Sequence, residues 1–265
     1  MNLILHIGPH KTGTTSLQRL LVLNREQLAK QGVHVAFSRT SRDGNHAFPW
    51  TIKGWDVGIL DESYVPLPLD IMISQLLFDA QSRTCDQILL SSEDFSLLTI
   101  AEWNFFFEAF HKQAPRSNVI ISMVYTTRNI DEMARGMYST LVELGLNKPF
   151  AEVQQNLELH FQAKFQEIAD FVESLDYPIR LLHVPYSESN YLKSWFNTVL
   201  PSDALHPLDL LEIKLNVGRD EAATESQRRA NENKGINFDT SRLLEWPSFH
   251  NVESIRRQRS PNSGA

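Results

Sequence analysis

The stretch LHIGPHKTGTTSLQRLL, residues 5–21, runs an apolar segment straight into a loop of Gly, Pro, Lys and Thr, and then into a helical pattern with Leu17, Leu20 and Leu21 on one side. A strand that is apolar at nearly every position must be covered on both faces, and the helix that follows at once is the first cover. The alternation continues along the chain. Residues 2–7, 33–37, 87–92, 118–126 and 179–184 read as strands, and 14–31, 69–82, 99–114, 130–144, 150–175 and 187–199 as helices; beyond 201 the chain is helical and polar. The expected fold is α/β, a three-layer α/β/α arrangement with a central parallel sheet. A length of 265 residues, 42% of them hydrophobic, suffices for one large core, so residues 1–265 are expected to form a single domain. Residues 38–68 are polar, rich in Gly, Pro and aromatic residues and without sustained period. They read as an acceptor-side insertion in which Phe48, Trp50, Trp55 and Tyr64 can pack, and residues 260–265 read as a flexible tail.

Composition removes several classes of function. A formal charge of -7 and a pI of about 5.7 argue against general nucleic-acid binding, which needs a net basic surface, so any anion site must be local. The one cysteine, Cys85, excludes an internal disulfide framework and suits a reducing compartment. No segment reaches the roughly 20 unbroken apolar residues of a membrane-spanning helix. Met1 leads directly into apolar residues without the basic and cleavage regions of a signal peptide, so a cytoplasmic setting is expected. No metal is expected, because His6, His10, His34 and His46 lack helical ligand spacing and Cys85 has no partner cysteine. No Gly-x-Ser-x-Gly nucleophile elbow occurs.

The loop itself has the outer form of a phosphate cradle. Gly8 and Gly13 stand five apart, and Thr14 and Thr15 open the helix. Glycines let the backbone curl so that successive amides and the helix N-terminus point at one anion, while the hydroxyls of Thr12, Thr14 and Thr15 add donors. Thr14 stands where the nucleotide-hydrolysing version of this loop has its lysine, and Lys11 lies inside the loop instead.

That displaced lysine carries a resemblance. Lys-Thr-Gly-Thr-Thr after an apolar strand resembles the 5'-phosphosulfate loop of sulfotransferases that use 3'-phosphoadenosine 5'-phosphosulfate (PAPS), in particular the carbohydrate sulfotransferases and their bacterial relatives. The resemblance implies a fold like that of P-loop nucleotide kinases. It implies that Lys11 reaches the oxygen bridging phosphate and sulfate, that the loop amides with Thr12, Gly13, Thr14 and Thr15 hold the 5'-phosphate, and that no metal is needed. It further implies a 3'-phosphate site built from an arginine at the end of a central strand and a serine two turns into the next helix. Arg128 in VYTTRN supplies the arginine, whose planar fork suits a phosphate dianion. The expected serine position, eight residues on, is Gly136; the nearest hydroxyl is Ser139, one turn further on approximately the same face. Lys234 before Gly235 resembles the basic-glycine segment near the end of many such enzymes, and Arg256, Arg257 and Arg259 form a second basic run.

An acceptor attacking sulfur must lose a proton, and ILLSSED, residues 88–94, ends a buried strand in two hydroxyls and two acids where doubly wound sheets place their ligands. Glu93 is the expected base, and Ser-Ser-Glu resembles the motif that carries a catalytic glutamate in some carbohydrate sulfotransferases. A partly buried glutamate suits proton abstraction near neutral pH. The same residues could also cap a helix without chemistry. His10, beside Lys11, and His46, in the insertion, are alternative bases. The acceptor is expected to be a small molecule or glycan, a carbohydrate or glycolipid hydroxyl or amine, with Trp50 and Trp55 as stacking surfaces. The aromatics of residues 103–110 lie at helical spacing and are expected in the core. Two other classes share the loop: a kinase on the same fold, which would need magnesium and an acid to organise it, and a non-catalytic nucleotide-binding relative.

Overall fold

The computed structural model describes residues 1–9, 11–40, 42–55, 64–114, 119–174, 179–187, 190–200 and 221–235. Five strands, β1 (Asn2–His6), β2 (Val33–Val35), β3 (Gln87–Ser91), β4 (Ile120–Thr127) and β5 (Ile179–Pro185), form one sheet in the order β2-β3-β1-β4-β5. Every pairing is parallel. The nine helices among the described residues are α1 (Thr14–Leu23), α2 (Arg25–Lys30), α3 (Ala47–Lys53), α4 (Leu69–Ser82), α5 (Ile100–Gln113), α6 (Ile130–Leu144), α7 (Phe150–Ser174), α8 (Tyr191–Val199) and α9 (Glu221–Asn233). The protein is α/β, with helices flanking a parallel sheet, as the alternation of apolar runs and helical patterns predicts.

The chain divides into two compact units, 1–128 with 168–216, and 129–167 with 217–265. In the first, alternation along each strand sends side chains to opposite faces. Ile4, Leu89, Val124 and Val184 pack with Leu17, Leu20 and Leu21 of α1, Leu28 of α2, and Tyr191, Trp195 and Phe196 of α8. Elsewhere in this unit α5 buries Trp103, Phe106, Phe107 and Phe110, while Phe105 stays exposed. Trp103 stacks between Phe95, Phe107 and Phe171, with centroids 5.5–5.6 Å apart, so the aromatic run is core, as its spacing predicts. A full capping box at Thr99 and Glu102 sets where α5 begins.

Two local features depart from the expected elements. The helix predicted over 14–31 is broken at Asn24, whose side-chain amide donates to the Leu20 carbonyl at 2.9 Å and ends α1 before α2 starts. Within 38–68, where no period is evident, residues 47–53 form α3, a helix of seven residues that buries Ala47, Phe48, Pro49 and Trp50. Cys85 is half-buried with its thiol near the Ala29 carbonyl.

In the second unit Met133, Met137, Leu141 and Val142 of α6 pack with Val153, Leu157 and Phe161 of α7. The charged segment over 219–233 yields α9, and its polar residues tie the helices together. Asn231 donates to the carbonyls of Val142 and Leu146 at 2.8 and 3.0 Å, satisfying the end of α6. Arg228 donates to Glu225, Glu232 and the Asn147 carbonyl. Among the described residues, no helix is long and apolar enough to cross a membrane.

Candidate active site

β1 runs between β3 and β4 with His6 in register with both Ser91 and Val124. Two residues further on lie Gly8, Glu93 and Thr126, so the three segments singled out in the sequence leave the sheet side by side at its carboxyl edge.

The loop between β1 and α1 is built by its backbone. Lys11 has φ 71° and Gly13 φ 79°, both left-handed. That costs a lysine roughly 1–2 kcal/mol, and so must be held in place. Thr12 is fully buried and its hydroxyl donates to the Pro9 carbonyl at 2.7 Å, closing the loop from inside. Arg128 donates to the Lys11 carbonyl at 3.1 Å and lies 4.6 Å above the Tyr186 ring. A side chain at Gly13 would be strained, since a Cβ there would meet Tyr186 Cε2 at 2.7 Å on top of the positive φ. α1 then begins with no side-chain cap and no acidic residue in its first turn. Left-handed residues at 11 and 13, followed by a helix N-terminus without a side-chain cap, are the kind of backbone construction that binds anions.

The predicted ligands divide. Thr14 is buried and Thr15 exposed at the start of α1. Thr12 uses its only proton on Pro9, so its contribution is to the loop's shape. Ser139 belongs to the second unit, where its hydroxyl shares a hydrogen bond with Thr224 at 3.3 Å. Lys234 and Gly235 form the terminal turn of α9, with Gly235 at φ 63° donating to the Glu232 carbonyl. His10, Arg256, Arg257, Arg259 and the 260–265 tail lie outside the described residues, as do 56–63 of the insertion.

After β3 the acids are ordered by one another's partners. Ser92 accepts from the Asp94 amide at 3.2 Å and caps a short 3-10 helix, Glu93–Leu97. The capping role and the two acids therefore coexist. Glu93, half-buried, accepts from Gln18 of α1 at 2.8 Å. Asp94 is buried and accepts from both His46 Nδ1, at 2.9 Å, and Trp50 Nε1, at 2.8 Å; Ser92 Oγ lies 2.9 Å from the same histidine nitrogen. Burial alone favours a neutral His46, but Glu93, the hydrogen bond to Asp94 and the Asp94 charge outweigh it and the opposing Arg42, raising the affinity of the ring for its proton. His46 and Asp94 thus act as a buried pair that fixes the start of the 3-10 helix beside Glu93.

Trp50 is a correction. It is fully buried in α3, stacked on His46 at 5.6 Å with its indole N–H committed to Asp94, and offers no face to a sugar. Trp55 is half-buried, with the Lys53 ammonium 5.6 Å from its ring. Gln18 and Tyr186 were not foreseen as site residues. Gln18 had a signal, standing four residues after Thr14 and so on the same helix face as the loop's first hydroxyl. Tyr186 had none.

No protein family, curated protein or solved structure matches the chain. The functional reading rests on the loop, the strand-end acids and their geometry. Among the described residues no group of three or more His, Cys, Asp or Glu converges on a metal site.

Proposed function

We propose that this protein is a sulfotransferase that moves a sulfuryl group from PAPS to a hydroxyl or amine of a carbohydrate or glycolipid acceptor. The observation that carries the proposal is the lysine held at φ 71° inside the loop, with Arg128 on its carbonyl and the uncapped start of α1 behind it. Backbone amides, a loop ammonium and the N-terminus of a helix are the donor set a 5'-phosphosulfate requires, so the residues present fit that group. When bound, the donor supplies an electrophilic sulfur and a phosphate leaving group. Lys11 stabilises the charge that grows on the bridging phosphate oxygen as the sulfur–oxygen bond breaks, which lowers the barrier more than it strengthens binding. The amides of Gly13, Thr14 and Thr15, with the Thr14 and Thr15 hydroxyls, hold the 5'-phosphate, and Arg128 meets the 3'-phosphate while bracing the loop. Glu93, oriented by Gln18, accepts the proton that the acceptor loses as it bonds to sulfur. The half-buried Trp55 is the remaining aromatic candidate for the acceptor side. The acidic overall charge and lone Cys85 suit a cytoplasmic enzyme that does not bind nucleic acid.

A kinase on the same fold would use a strand-end acid to organise magnesium. Asp94, the better buried acid at that edge, is tied through Oδ2 to His46 and Trp50, a structural role, which favours sulfuryl transfer. Transfer of label from sulfur-labelled PAPS to a panel of glycans and glycolipids, with a chelator present, tests the proposal. Label reaching a hydroxyl or amine supports it; phosphoryl transfer from ATP that requires magnesium contradicts it.

A further inference from the structure

His6, the last residue of β1, is fully buried directly beneath the loop. Its Nδ1 is 2.8 Å from Ser91 Oγ. Its ring meets Trp195 edge-on, with centroids 5.6 Å apart. Its Nε2 is buried and has no hydrogen-bond partner among the described residues. That nitrogen lies against the first glycine of the loop: a Cβ on Gly8 would lie 2.9 Å from His6 Nε2 and 3.1 Å from Thr12 Oγ1. A buried polar nitrogen with no partner costs about 1–3 kcal/mol, and buried polar groups are otherwise satisfied almost without exception. Burial holds the ring neutral, drawing its proton affinity down to about 4 against a small opposing effect of Glu93. A neutral imidazole carries one N–H. Ser91 can donate to Nδ1, which puts that N–H on Nε2, and a lone pair there would instead repel an anion in the cradle.

We propose that His6 Nε2–H is a donor from the floor of the loop to the anion that the loop binds, and that Ser91 fixes this tautomer by donating to Nδ1. His6 is then a binding residue on the donor side. Its link to Ser91 also joins the loop to the strand that leads to Glu93, so occupancy of the loop is felt at the segment bearing the base. The proposal rests on the reading of residues 8–15 as a phosphosulfate loop. It needs only that an anion sits there, whatever the donor.

The test uses the full chain with nitrogen-labelled imidazoles. The ring nitrogens of His6 are followed by NMR as adenosine 3',5'-bisphosphate, and separately inorganic pyrophosphate, is added. The expected result is an Nε2–H tautomer in the free protein, with a downfield shift and slowed exchange of that proton as the amides of Lys11 and Gly13 saturate. Two variants separate donation from mere filling of space. His6→Gln can place an N–H near the Nε2 position and should keep affinity within about 3-fold, whereas His6→Asn places it near Nδ1 and should lose about 10- to 100-fold. An Nδ1–H tautomer, or an Nε2 signal that ignores a ligand saturating the loop amides, overturns the inference. Equal affinity of the two variants overturns it as well. If pyrophosphate moves His6 but adenosine 3',5'-bisphosphate does not bind, His6 keeps its role and the PAPS reading fails. If neither ligand moves the loop amides, both fail together. Should either variant not fold, the tautomer and ligand response of the unmodified protein decide the question.

Discussion

The loop after β1 and the segment after β3 leave the same edge of the sheet, yet they are organised in opposite ways. In the loop, the side chains serve the backbone: Thr12 ties Pro9, Arg128 braces the Lys11 carbonyl, and the N–H groups at the start of α1 have no side-chain cap. In the segment after β3, the side chains serve one another: Asp94 takes His46 and Trp50, Ser92 takes the Asp94 amide, and Glu93 takes the Gln18 amide. A site for a fixed, highly charged group is best built from backbone dipoles, which are pre-aimed and cannot titrate. A site for proton transfer needs titratable groups, whose positions have to be held by a network. On the proposed function, the difference separates donor binding from base chemistry.

Substitutions on the two sides should therefore fail differently. The largest effect belongs to Lys11→Ala, which should lower turnover by about 10³-fold, the upper range for loss of one preorganised charge-stabilising group, with a much smaller change in affinity for adenosine 3',5'-bisphosphate. A variant that loses binding and turnover equally would make Lys11 a ligand of the ground state only.

Acid should destabilise the fold through His6. Its folded-state proton affinity lies below the unfolded value, so unfolding takes up a proton, and stability is lost as pH falls from 6.5 towards about 4. At about 1.4 kcal/mol per pH unit, the full loss is about 3 kcal/mol. His46 has the opposite sign. Its raised affinity contributes stability that is complete below pH 6.5 and is lost as pH rises through its folded value. Thermal melts of His6→Gln across this range should show a flattened acid limb; an unchanged limb would remove His6 as its source.

Glu93→Gln should cut turnover by about 10²-fold, the usual worth of a positioned base, and leave donor affinity within about 2-fold. Retention of the full rate would move the base elsewhere. The smallest effect expected is that of Gly13→Ala, which combines a positive φ with a Cβ 2.7 Å from Tyr186. It should cost about 1–2 kcal/mol of stability in denaturant titrations and weaken donor binding without altering the pH profile of turnover.

The two sides also differ in how far they were legible in the sequence. The parallel sheet and the loop's place on it follow from local apolar runs and from a motif of a few adjacent residues, and β1, the loop and α1 fall where those patterns put them. The left-handed backbone of Lys11 is not legible there, because its carbonyl is braced by Arg128, 117 residues away. The network after β3 depends on residues far away in sequence: Gln18 is 75 residues from Glu93, and Trp50 is 44 residues from Asp94. α3, which brings His46 and Trp50 to Asp94, has seven residues with a proline at the third, too short for a helical period to register. Trp50 consequently read as an exposed stacking surface when its indole N–H is a buried structural donor. Ser139 is marked in the sequence only by its spacing from Arg128, across the turn from strand end to helix, and spacing carries no information on its hydrogen bond with Thr224.

The central claim is that the loop with Lys11 inside it binds a 3'-phosphorylated adenosine 5'-phosphosulfate and not a nucleoside triphosphate. Calorimetric titration of the protein with adenosine 3',5'-bisphosphate and with ATP, each with and without magnesium, tests it most directly, because no acceptor needs to be known. Adenosine 3',5'-bisphosphate should bind tighter than ATP, and magnesium should leave its affinity unchanged. Tighter binding of ATP, dependent on magnesium, would contradict it.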